Sequence, residues 1–457
     1  MTTLSTVEHW LTYHIRLALH KKFSIVALRR VAFIIALISC IAAGFVTLIS
    51  LFTQPWQHRL GYSALQVNLV SSAVNLGGYL TPPLLGMLSD SHGPVVLSWL
   101  ALLGFVPSYA YAAYVFDHGE THFAWTLVSF TAIGISTSAM FFCALLTCAK
   151  LYPKYKFLSI SCPTTFYGIS SLFGSQLLKN SWFWYGHKYL DLGRVFRCFT
   201  WFYVVIGIST WVSTSIVAML KTTAEQEEHE PLLPGAAEIP AKSEYSKLLR
   251  RFLRDPSAYL VLILTFFTIG SLEMFLTNMG SVAGLVDPED KTIQSQVLSY
   301  FALFSTIARA VVGLLADFFA ARGISRMWII YFLIVVGFFA QTLVTRSGSH
   351  PLRLMIASAL SGATYGGLFT AIPTLTLTVW GGRVFGTAYG CFMVAPALGA
   401  TIYGVFYAHV YDSTCSANVD SSCINMAFYA TGTSFATALL VSIFVYYAIW
   451  KRKGIDI

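Results

Sequence analysis

The chain has 457 residues, of which 56% are hydrophobic and only 11% charged, less than half the roughly 25% charged content of a soluble domain. So few charges cannot cover a water-soluble fold of this length, and a bilayer must serve as the outer solvent. A net charge of +9 would suit nucleic acid in a soluble protein, but basic residues also gather at the cytoplasmic ends of membrane spans, so no nucleic-acid partner is expected.

Residues 1–30 show no cleavable-signal pattern. Within them, 7–28 mix aromatic, His and basic side chains and read as a short amphipathic surface helix. A membrane-spanning helix needs about 20 mostly apolar residues. Twelve segments qualify, at roughly 31–53, 66–88, 95–116, 123–148, 157–178, 197–220, 257–280, 297–320, 327–345, 352–378, 384–410 and 427–450. With the N-terminus in the cytoplasm, twenty of the 29 Lys and Arg fall in cytoplasmic segments and eight in the opposite ones, and Arg309 lies within a span. That bias predicts both termini inside and an even helix count.

The longest polar break, 221–256, holds Glu225, Glu227, Glu228, Glu230, Pro231, Pro234 and Pro240 before a basic run. It reads as a flexible cytoplasmic linker. The predicted organisation is a cytoplasmic segment 1–30, a six-helix half 31–220, the linker 221–256, a second six-helix half 257–450 and a cytoplasmic tail 451–457. Inside the linker, Glu228-His229-Glu230-Pro231-Leu232-Leu233 fits an acidic dileucine signal read by a sorting adaptor, with Glu228, Leu232 and Leu233 as its elements.

An internal repeat supports the division. The second span ends in Gly86-Met87-Leu88-Ser89-Asp90, followed by Gly93, and the eighth ends in Gly313-Leu314-Leu315-Ala316-Asp317. Gly86 to Gly313 and Asp90 to Asp317 are each a displacement of 227 residues, as duplicated halves would give. The glycines allow close helix contact. Each Asp, at the membrane edge, can accept from a neighbouring helix's N-terminal amides or from an Arg. Such contacts can latch the halves on the cytoplasmic side and break as the halves rock.

The motif pair and linker resemble the major facilitator superfamily. Asn75-Leu76-Gly77-Gly78-Tyr79-Leu80-Thr81-Pro82-Pro83, Pro163-Thr164-Thr165-Phe166-Tyr167-Gly168 and Tyr365-Gly366-Gly367-Leu368-Phe369-Thr370 narrow the likeness. Together they resemble the fungal vacuolar monocarboxylate-transporter homologues of the nodulin-like group, along essentially the whole chain. The resemblance implies an all-α membrane protein with the twelve-helix major facilitator fold, a vacuolar location, and proton-coupled transport of monocarboxylates. Arg309 with Ala310, Gly313, Ala316 and Asp317 resembles the helix-eight Arg segment of monocarboxylate transporters. The Asp that stands one turn before that Arg in the family is Ser305 here, and the family's helix-one Lys has no counterpart between Val31 and Thr53.

Glu273 and Arg309 are the two ionisable side chains well inside the spans. A charge there costs a few kcal/mol and normally turns to the bundle interior, to water or to a partner. At 1.5 Å per residue, Glu273 would stand about 22 Å and Arg309 about 15 Å from the cytoplasmic side. A Glu273–Arg309 pair near a central cavity, loosened by a proton or an anionic solute, would couple the two. A static interhelical ion pair, or Glu273 at a wet lumenal rim, is the alternative. Asn75 and Tyr79 in the second span, Thr165 and Tyr167 in the fifth, Tyr365 in the tenth and Tyr389 in the eleventh are further substrate candidates, or else interhelical hydrogen-bond glue.

Six cysteines lie in or beside apolar segments without metal-ligand spacing. Cys415 and Cys423 share one polar loop, eight residues apart, where a disulfide is open to them if the loop faces an oxidising lumen. No Ser/His/Asp, HExxH or CxxC set is present, so no catalytic residues, metal or cofactor are expected. The expectation is a monomeric secondary transporter in the vacuolar membrane, moving a small organic solute by alternating access, with protons and the lipid bilayer as its other partners. A porter for a metal chelate or amine, or a solute sensor that does not transport, are the alternatives.

Overall fold

The structure is a computed structural model. It describes residues 23–119, 123–185, 189–228, 241–287, 293–348, 350–415 and 421–454. Apart from a two-residue antiparallel pair, Trp184–Tyr185 with Tyr189–Leu190, the regular elements among the described residues are helical.

Ten helices among the described residues are long and apolar enough to cross a membrane, and they fall on ten of the twelve expected spans. The other two expected spans are helical but interrupted. The second is split into Ala64–Leu80 and Pro82–His92, because Pro82 opens the latter piece and has no N–H to continue the ladder. The fifth begins as a π turn, Phe157–Ser161, before Cys162–Leu177 takes over.

Two stretches differ from the sequence expectation. The first span starts at Ile25 rather than near 31, because the Ser24 hydroxyl accepts from the Ala27 amide and caps it there. Arg29 therefore lies on the span's first turns, where its guanidinium donates to the Leu151 carbonyl and sits 4.3 Å from the Tyr152 ring centroid. The surface helix expected over 7–28 thus yields its last residues to the span, and residues 1–22 lie outside the described ones. The linker expected to be flexible over 221–256 begins inside the helix Leu192–Glu228 and contains a further helix, Ala241–Leu253. Its apolar residues Tyr245, Leu248, Leu249 and Phe252 recur at i, i+3, i+4 and i+7, which is the helical period.

The chain forms two compact units. The first comprises 1–154, 166–248 and 382–390, and the second 155–165, 249–381 and 391–457. The short starts of the fifth and eleventh spans are thus each built into the unit formed mainly by the other sequence half. In the first unit, Val95–His118 packs along Leu192–Glu228, with the Phe105 and Tyr203 rings stacked at 4.0 Å. In the second, Ile293–Ala321 packs along Pro351–Trp380. The seam there is Gly362-x-x-x-Gly366: a Cβ on Gly362 would overlap the Phe301 carbonyl, and one on Gly366 the Ser305 carbonyl. Small residues four apart let the two backbones touch, and this close approach fixes the height of Arg309 beside the tenth span.

Candidate functional site

The two Gly–Asp motifs occupy matching positions in their units. Asp90 lies beyond the apolar segment 66–88 and faces the start of the eleventh span. Its Oδ1 accepts from the Gly386 amide at 3.2 Å, and its Oδ2 accepts from the Thr387 amide and hydroxyl at 2.6 and 2.8 Å. Asp317 does the same at the start of the fifth span, accepting from the amides of Lys156 and Phe157 at 2.7 and 2.9 Å. The first amides of a helix have no intrahelical partner and carry the positive end of its dipole, so a carboxylate is the matching group. The glycines make this reach possible: a Cβ on Gly86 would overlap the Gly386 carbonyl, and one on Gly313 the Ser161 side chain. Gly93 closes the first motif at φ +91°, a conformation open to glycine.

The electrostatics of the two caps differ. Burial pushes the Asp90 carboxyl up to about 6, against the downward pull of the Thr387 amide and hydroxyl, of Lys150 and of the Gly386 amide. Burial and the nearby Arg326 hold the Lys156 ammonium below its ordinary range, while Asp317 draws it back up.

The second unit holds the buried acid and base. A π turn, Phe266–Gly270, precedes the helix Ser271–Val286 and sets Glu273 in that helix's first turn. Glu273 is 8% exposed and Arg309 6%. The Tyr365 hydroxyl donates to Glu273 Oε1 at 2.7 Å. The Tyr365 ring lies 4.7 Å from that of Phe369, and the Arg309 guanidinium stands 5.3 Å from the Phe369 centroid, within cation–π range. Arg309 Nη1 donates to the Thr164 carbonyl at 3.3 Å, and the Arg309 carbonyl accepts from the Ser161 hydroxyl at 2.6 Å. Thr164 also bonds Thr370 at 3.1 Å. Acid and base are thus joined through Tyr365 and Phe369, with the start of the fifth span against the base.

Of the expected site residues, Glu273, Arg309 and Tyr365 come together in this way. Thr165 adjoins Thr164 in the same unit, and its hydroxyl is buried without a hydrogen-bond partner. Asn75, Tyr79, Tyr167 and Tyr389 belong to the first unit. There Asn75 is exposed and Tyr79 half-buried, Tyr167 lies 4.9 Å from the Phe141 ring, and Tyr389 is buried with its ring stacked on Phe142 and Phe385. Cys415 and Cys423 are joined in a disulfide, with Cα atoms 5.2 Å apart. Leu232 and Leu233 lie outside the described residues, and of Glu228 only the backbone is described.

Three further residues take part in these contacts. Phe369 stands one helical turn after Tyr365, so i, i+4 spacing could have paired them. Ser161 precedes Pro163 by two residues and sits under Gly313. Thr387 follows Gly386 at the start of the eleventh span, where an amide–hydroxyl pair suits an anion, but only the fold shows which anion arrives.

A family model described as Major Facilitator Superfamily matches residues 32–404. A "Probable transporter MCH1" of Eremothecium gossypii is 49% identical over 99% of this chain and 100% of its own length. Its Saccharomyces cerevisiae namesake is 44% identical over 98% of this chain and 99% of its own. Among solved structures, the proton:xylose symporter XylE superposes with a TM-score of 0.66 at 14% identity, covering 93% of this chain and 96% of its own. The E. coli fucose:proton symporter FucP superposes at 0.61 and 16% identity, covering 92% and 99%.

Proposed function

The chain belongs to the major facilitator superfamily, a family of multi-pass membrane transporters of small solutes, and from that premise we propose that it moves a small organic anion of the monocarboxylate type across the vacuolar membrane by alternating access coupled to protons. The observation that carries the reading is the buried acid and base of the second unit, Glu273 and Arg309, joined through Tyr365 and Phe369. A charge within a span is costly and tends to mark a solute or proton pathway.

In this reading Arg309 holds the solute carboxylate, for which a guanidinium fork is suited. Glu273 takes up and releases the proton, and the Tyr365 hydroxyl, able both to donate and to accept, serves either state. The Asp90 and Asp317 caps hold the starts of the eleventh and fifth spans while one conformation lasts and release them in the other. The acidic dileucine at Glu228, Leu232 and Leu233 supplies the route to the vacuole through a sorting adaptor. Replacing both leucines with Ala should divert the protein to another membrane, and an unchanged vacuolar pattern by microscopy would remove that part.

The function is tested by uptake into proteoliposomes of the full-length chain, screening small carboxylic acids, amines and metal chelates with and without a pH gradient. Gradient-driven uptake of carboxylates that Arg309→Gln abolishes is the expected result. Uptake confined to amines or chelates, unaffected by Arg309→Gln, would favour a cation porter built on Glu273.

A further inference from the structure

The linker helix Ala241–Leu253 is amphipathic, and its apolar face is already in use. Phe252 is 4% exposed and packs in the second unit against Trp380 and Phe392, with ring centroids 5.5 and 6.1 Å away. In the first unit the Tyr245 hydroxyl bonds the Thr387 hydroxyl at 3.0 Å. The opposite face carries Lys247, Arg250 and Arg251, and Arg254 just beyond the helix continues their line. Their spacing of i, i+3, i+4 and i+7 makes one stripe about 10 Å long at 1.5 Å per residue. All four are exposed, and among the described residues none of them is ion-paired. The stripe ends one residue before Asp255, which caps the seventh span at Pro256. The seventh span opens at Pro256, so the stripe adjoins a span end, and the end of a span in a bilayer meets the headgroup layer.

We propose that this basic stripe docks on anionic lipid headgroups at that end of the bundle, and that docking holds Tyr245 on Thr387 and so steadies the Asp90 cap. The charge complement is specific in kind: a row of four cations with no acid between them matches a sheet of phosphates and carboxylates. The wiring is specific in residue, because the hydroxyl that Tyr245 engages is the one that donates to Asp90 Oδ2. Lipid composition would in this way reach the gating motif without touching the buried Glu273 and Arg309. The proposal stands apart from the choice of solute.

The test is hydrogen exchange on the full-length chain in nanodiscs of phosphatidylcholine alone or with one-third phosphatidylserine. Phosphatidylserine should slow exchange over 247–254 by about fivefold or more, the effect of a single cation at an anionic surface, and should slow the Thr387 amide with it. High salt should erase the difference in the wild type. The variant K247Q/R250Q/R251Q/R254Q should exchange alike in both lipids. Tyr245→Phe should keep the slowing over 247–254 and lose it at Thr387. Equal exchange of the wild type in both lipids overturns the proposal, as does a full response in the four-Gln variant. If inorganic phosphate added to phosphatidylcholine nanodiscs reproduces the effect, the lipid assignment is overturned. If Thr387 still responds in Tyr245→Phe, the wiring to the cap is overturned.

Discussion

Replacing Asp317 with Ala removes the acceptor for the first amides of the fifth span. In the wild type each carboxylate oxygen takes one of them, Lys156 at 2.7 Å and Phe157 at 2.9 Å. Loss of an N-cap costs about 0.5–2 kcal/mol, and a charge-assisted bond is roughly twice as strong as a neutral one. The two together place the loss near 2 kcal/mol, about thirtyfold in the local opening equilibrium. Hydrogen exchange in the full-length protein reads that equilibrium directly. The Lys156 and Phe157 amides should exchange faster by that order in Asp317→Ala. Asp317→Asn keeps a single carbonyl acceptor and should fall between. Wild-type exchange rates at both amides in the Ala variant would refute the cap and, with it, the idea that the motif holds the start of the fifth span.

Three further outcomes follow from the same contacts. Tyr365→Phe removes the hydroxyl from Glu273 and should cost about 1–3 kcal/mol of stability as a buried hydrogen bond to an acid, read as a lower thermal midpoint; an unchanged midpoint would mean that the bond contributes nothing. Gly366→Ala would drive its Cβ into the Ser305 carbonyl and should destabilise by about 1–3 kcal/mol as overpacking, with Gly366→Val, which adds two methyls to the same Cβ, affected more; a stable Val variant would contradict the tight seam between the eighth and tenth spans. Burial pushes the capped Asp90 carboxyl up to about 6 from its ordinary 3.8, so the capped arrangement takes up a proton between those values and is favoured as pH falls. After correction for intrinsic exchange, the Gly386 and Thr387 amides should be better protected at pH 5 than at pH 7, and the reverse order would contradict the shift.

The parts of this architecture that a sequence can state are those fixed by local composition. Apolar length marks the spans, and a Gly–Asp pair displaced by half a chain marks the repeat. Glu273 and Arg309 stand out because charge is rare in such segments. Partner choice is not local. Tyr365 reads as any polar residue in a span until the seventh and tenth spans meet, and their meeting depends on the neighbouring Gly362-x-x-x-Gly366 seam. The π turns at Phe157–Ser161 and Phe266–Gly270, which set the register of Thr164 and Glu273, carry no composition signal. Asp90 and Asp317 announce an anion at the membrane edge, but not that the amides they hold belong to starts of spans exchanged between the two units. The Glu and Pro content over 225–240 obscures the helical period of Ala241–Leu253, the thirteen residues that follow.

In the proposed function, Glu273 carries the coupled proton while Arg309 holds the solute. The most direct measurement is solute-induced proton movement into proteoliposomes of the full-length chain, followed with a lumenal pH dye, for the wild type and Glu273→Gln. The wild type should acidify the lumen when a transported solute is added. Glu273→Gln should still bind that solute but move no protons with it. Wild-type proton movement in Glu273→Gln would contradict the claim.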